Sequence, residues 1–66
     1  MVEVDHALIR RARSLVTRAN IDRIKEMIFL YEEAARLHNM AAANHALYQG
    51  EYEQELREFV EHENGS

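Results

Sequence analysis

His38 and His45 are the residues of this chain best suited to chemistry, and they stand seven positions apart. On a helix that spacing places them on one stripe, about 10 Å apart along the axis. One metal ion cannot bridge that distance, and no His-x-x-x-His or Glu-x-x-His pattern supplies a ligand one turn away. Cys is absent, which excludes disulfides and thiolate zinc sites. Ser14 and Thr17 have no His or Asp beside them on a helix face, and there is no glycine-rich phosphate loop. The reading is therefore of a protein that is not an enzyme, with no catalytic residues, metal or cofactor. The histidines become polar groups at an interface, where an imidazole titrating near neutrality would make association depend on pH. His6 and His62, near the ends, are expected to be solvated.

Charge is the second chemical feature. The net charge is −4, but its sign is unevenly spread. "RRARSLVTR" carries Arg10, Arg11, Arg13 and Arg18, while Glu51, Glu55 and Glu58 belong to an acidic segment near the other end. The arginines, with Ser14 and Thr17 between them, suit phosphate contacts in a nucleic acid. The glutamates suit a docking face for a basic partner. A third reading pairs the two segments with each other, which would set orientation more than stability.

The elements that must carry these groups are helical. The chain has no Pro and only Gly50 and Gly65, and good helix formers dominate its 66 residues. Asp5 is a plausible N-cap for a first helix over 6–18, with Leu8, Ala12, Leu15, Val16 and Ala19 as its apolar stripe. Asn20 punctuates. Ile21, Ile24, Ile28, Tyr31, Ala35, His38, Ala42 and His45 then step by threes and fours. Met27, Leu30, Ala34, Leu37 and Ala41 form an adjacent second seam. Together they predict one long helix over 21–48, carrying a Glu32–Arg36 pair and closed by Gly50 as a left-handed cap. A third helix over 51–62 presents Tyr52, Leu56, Phe59 and Val60, carries a Glu53–Arg57 pair and leaves a frayed tail at 63–66. The expected fold is a small all-α bundle of two to three helices, short–long–short, in a single domain spanning 1–66.

Size raises the next question. A chain of 66 residues has a marginal core and usually needs reinforcement. Met27 to Tyr31 are apolar without interruption, more than two short helices can cover. The economical completion is a homodimer whose long helices cross near Ile28 and Tyr31. Its interface would use Ile21, Ile24, Met27, Ile28, Phe29, Tyr31, Ala35 and His38.

The segment from Ala41 to Phe59 resembles a piece of a tetratricopeptide repeat, through small Ala43, Gly50 at the turn, Tyr52 and Phe59. It departs where Glu55 and His62 stand in place of small residues, and no second repeat follows although such arrays need about three. The match reads as convergence on helix–Gly–helix packing, and no family is assigned. MVEVDHAL has no basic start followed by an apolar run, so no signal peptide is expected. The longest apolar run is far below the roughly 18 residues of a membrane span, so no membrane partner is expected and the location is read as cytoplasmic. The function expected is non-enzymatic binding of an unidentified protein, as a regulator or inhibitor; small chains of this kind, phage-encoded ones among them, often act so. The alternative is a dimeric nucleic-acid-binding regulator using the four arginines.

Overall fold

The computed structural model describes residues 3–40 and 43–65, which form three helices: α1 (His6–Ser14), α2 (Ile21–Met40) and α3 (Ala43–Gly65). No strand occurs among the described residues. Asp5 caps α1, its Oδ1 accepting the Leu8 N–H at 3.1 Å. The helix ends at Ser14, a turn earlier than its apolar stripe suggests, and the Leu15 and Val16 N–H groups close it by donating to the Ala12 and Arg13 carbonyls. Asn20 then organises the turn. Its Oδ1 accepts the Thr17 N–H at 2.7 Å, its Nδ2 donates to the Leu15 carbonyl at 3.3 Å, and its own carbonyl accepts the Ile24 N–H at 2.9 Å. A continuous helix through Asn20 is thus excluded by the residue's own hydrogen bonds.

The largest correction concerns the second and third helices. α2 ends at Met40 and α3 runs from Ala43 to Gly65, so the long helix over 21–48 is replaced by two helices folded back on each other. Ala41 and Ala42, placed in the seam of that helix, lie outside the described residues. The pairing is antiparallel: Leu37 shares a recess with His45, Leu30 with Tyr52, and Arg23 with Phe59. Gly50 is an interior residue of α3 without the left-handed backbone of a cap. The helix–Gly–helix likeness to a tetratricopeptide repeat therefore loses its turn. An interior Gly costs about 1 kcal/mol against Ala. Each large side chain that α3 buries gains roughly 1.5–3 kcal/mol, so the helix continues through it. Its last residues, expected to fray from 63, remain helical to Gly65.

The core joins all three helices. Leu8, Ile9 and Ala12 of α1 meet Ile24, Met27, Ile28 and Tyr31 of α2 and Leu56, Phe59 and Val60 of α3. Ile9 belongs to this core although it stands off the apolar stripe, because α1 lies against two helices and needs a wider face. The molecule measures 38 × 19 × 16 Å. A helix the length of α1 spans only about 13 Å, against about 30 Å for α2. α1 therefore covers one half of the α2–α3 hairpin and leaves the other half two helices thick.

A polar clasp marks the boundary. The Tyr31 hydroxyl accepts the Asp5 N–H at 2.9 Å and donates to Glu53 Oε2 at 2.7 Å. Arg57 donates to Asp5 Oδ2 at 2.9 Å and to Glu53 Oε1 at 3.1 Å. Four residues thus tie the cap of α1 to both long helices. Among the described residues, no helix is long and apolar enough to cross a membrane.

Candidate interaction surface

The expected dimer interface is mostly spent inside the chain. Ile24, Met27, Ile28, Tyr31 and Ala35 are buried in the single chain, Tyr31 completely. Ile28 and Tyr31, expected at a subunit crossing, are instead covered together with Met27 by α1 and α3 of the same molecule, because α3 folds back far enough to reach them. Ile21 and Phe29 remain exposed, and Phe29 stands on the outer side of α2 at 60% exposure. His38 is half-buried with its Nδ1 unpartnered, and Gln49 Oε1 is likewise buried without a partner. His45 packs its ring against Tyr48, the centroids 6.4 Å apart. His38 and His45 form no chemical pair. Among the described residues, no group of three or more His, Asp or Glu is placed to hold a metal.

The charged segments also differ from the mutual-pairing reading. Arg10, Arg11 and Arg13 are exposed on α1, and Arg18 is exposed in the following turn. Glu51, Glu55 and Glu58 are exposed on α3. No ion pair among the described residues joins the two sets. The link between α1 and α3 has the opposite polarity, with acidic Asp5 on the α1 side and basic Arg57 on α3. The Glu53–Arg57 pair forms, whereas Arg36 binds Glu33 rather than Glu32. Asp5 is held below the ordinary carboxylate range, first by the Leu8 N–H and then by Arg57. Glu33 is lowered by Arg36. Burial pushes the Tyr31 hydroxyl up to about 12, with the Glu53 carboxylate adding to the rise.

What the fold leaves open lies along the half that α1 does not cover. Leu30, Ala34 and Leu37 of α2 face His45, Tyr48 and Tyr52 of α3 across a shallow recess of about 220 Å³. Leu30 and Leu37 project about 100–120° round α2 from buried Tyr31. They stand on the flank away from Glu32 and Asn39, which border the N-terminal segment at Val4. Ala34 is buried at the floor, Leu30, Leu37 and Tyr52 are half-buried, and Tyr48 is 50% exposed. The Tyr48 and Tyr52 rings stack with centroids 6.4 Å apart. Leu30, Ala34 and Leu37 are members of the second apolar seam, which sequence reasoning found but assigned no surface of its own. Tyr48 was missed, because only the antiparallel return of α3 brings it to α2.

A second, separate recess, of about 470 Å³, lies between α3 and the start of α2, where Arg23, beside Ala19 and Asn20, faces Glu55, Glu58 and Glu63 over Phe59. It is polar-walled and has no enclosed nucleophile. No family model, curated protein or solved structure matches the chain.

Proposed function

We propose that this chain is a small non-enzymatic interaction protein, a cytoplasmic regulator or inhibitor that binds another protein through the open groove between α2 and α3. The observation that supports this reading is the apolar and aromatic strip of Leu30, Leu37, Tyr48 and Tyr52 left uncovered once the core is complete. Aromatic side chains flanked by aliphatic ones are the usual anchors of a protein interface. A homodimer, expected from chain length, would have to form on a surface other than Ile28 and Tyr31, which are buried in the single chain.

The arginines support a second reading. Arg10, Arg11, Arg13 and Arg18 are exposed, and among the described residues no ion pair is formed by them. They would serve a nucleic-acid-binding regulator, although the adjacent acidic face of α3 opposes a polyanion.

One experiment separates the two. A photoreactive side chain is placed at position 37 or 48, and in separate variants at position 10 or 13, in the cells that make the protein. The groove reading expects protein cross-links from 37 and 48 only. Nucleic-acid cross-links from 10 and 13, with none from the groove, would contradict it. Retention of the wild type on DNA at low salt, lost when Arg10, Arg11 and Arg13 become Glu, would establish the second reading.

A further inference from the structure

Given that reading of the groove, we infer that its occupant is a basic amphipathic helix of the partner protein. The apolar strip has an acidic frame. Glu26 and Glu33 stand four residues before and three after Leu30, so they border it on α2. Glu51 and Glu55 stand three residues after Tyr48 and Tyr52, and border those rings on α3. Glu26, Glu51 and Glu55 are exposed, and among the described residues their carboxylates form no ion pair; Glu33 is bound by Arg36. Arg36 holds Glu33 at the edge of the strip and Arg23 lies at the far end among Glu55, Glu58 and Glu63, so the carboxylates left open to a ligand are Glu26, Glu51 and Glu55.

This arrangement selects by charge as well as by shape. A helix laid in the groove would set its apolar side chains against Leu30, Ala34 and Leu37. Its flanking Lys or Arg side chains would reach Glu26 on one side and Glu51 and Glu55 on the other. The exposed Tyr48 ring offers a face for one of those cations. From Arg23 to Leu37 the α2 flank rises through about 14 residue steps, about 21 Å, which suits a helix of about four turns. The same frame weighs against a second copy. Groove against groove across a two-fold axis would bring glutamates against glutamates, and like charges at an interface oppose assembly. The basic helix of this chain does not fit either, since the apolar side of α1 is already buried.

The test uses the full isotope-labelled chain and three synthetic peptides of about 14 residues, roughly the groove length. One is a Leu/Lys helix with a single apolar stripe, one replaces each Lys by Glu, and one scrambles the Leu/Lys order to destroy the stripe. Binding is read by anisotropy, and its place by amide chemical-shift changes. The Leu/Lys peptide is expected to bind at least about tenfold more tightly than either control and to weaken as salt rises. Its shifts should centre on Leu30, Leu37, Tyr48 and Tyr52. In Glu51→Lys/Glu55→Lys, which changes only exposed residues and should stay folded by circular dichroism, that preference should fall by about tenfold. Equal binding of the Lys and Glu peptides in the groove would overturn the basic occupant and leave the docking groove standing. Equal binding of the scrambled peptide would reduce the effect to bulk charge and overturn the inference. Shifts outside the groove, or no binding by any peptide, would overturn both readings. A groove already filled by a second copy, seen as dimer mass with the same shifts on dilution, would overturn the basic occupant alone.

Discussion

At the scale of residues, the clasp of Asp5, Tyr31, Glu53 and Arg57 carries the most information. Asp5 as a cap and Glu53–Arg57 as a pair were legible in the sequence, because both depend on neighbours within a few positions. The Tyr31 hydrogen bonds were not, because they span 26 and 22 residues. Arg36 had two carboxylates within reach, at three and four residues back, and local spacing alone could not choose between them. Two substitutions test the clasp. Tyr31→Phe leaves the Asp5 N–H and the Glu53 carboxylate without their partner and should cost about 1 kcal/mol in chemical denaturation. It should also change alkaline stability. The Tyr31 ring is enclosed but its hydroxyl reaches Glu53, whose side chain is 32% exposed, and its pKa rises to about 12. A raised folded-state value stabilises fully below the unfolded value near 10 and is lost as pH climbs from there through about 12. Thermal melts across that window should fall less steeply for Tyr31→Phe than for the wild type. Asp5 has the opposite sign. Its lowered value means that its contribution is present above the ordinary carboxylate range and lost as pH falls below it. Asp5→Ala should lower the melting temperature by roughly 4–8 °C at neutral pH and by much less near pH 2.

At the scale of elements, helix content and the break at Asn20 were readable from propensity and punctuation, but the return of the chain after Met40 was not. Asn39 offered a break one residue before the observed end of α2, but its propensity cost is small and the apolar stepping passes through it without a fault, so continuation was favoured. Gly50 drew the boundary to itself because its type is the commonest helix terminator. What decides the matter is packing. Folding back at this point sets Leu56, Phe59 and Val60 against Ile24, Met27 and Ile28, whereas a longer α2 would leave its Leu37 half without a partner. Gly50→Ala measures this directly. A Cβ at Gly50 meets nothing within 4 Å, and the residue is helical. The substitution should stabilise the protein by about 0.5–1 kcal/mol. A left-handed cap at this position would make the same substitution destabilising, so the sign in a urea titration separates the two architectures.

At the scale of the molecule, the two apolar seams of α2 have different fates. Ile24, Ile28, Tyr31 and Ala35 close the core within one chain, while Leu30 and Leu37 of the second seam stay half-buried beside Tyr48. Periodicity revealed both seams but not their occupants, since a stripe carries no record of what covers it. With Ile28 in the chain's own core, Ile28→Ala should cost 2–5 kcal/mol by the general scale of core truncations. A domain of this size has of order 3–10 kcal/mol in total. Its urea midpoint should not depend on protein concentration, as a dimer-interface residue would require. Ile28→Glu should abolish the fold at every concentration. The measurement closest to the central claim is hydroxyl-radical footprinting of the folded monomer, because it compares residues of one type in one sample. Tyr31 is fully buried and Tyr48 is 50% exposed. Rapid oxidation of Tyr48, strong protection of Tyr31 and loss of the difference on unfolding are expected. A Tyr48 as protected as Tyr31 in the monomer, or a Tyr31 as reactive as Tyr48, would contradict a core closed within one chain beside an open groove.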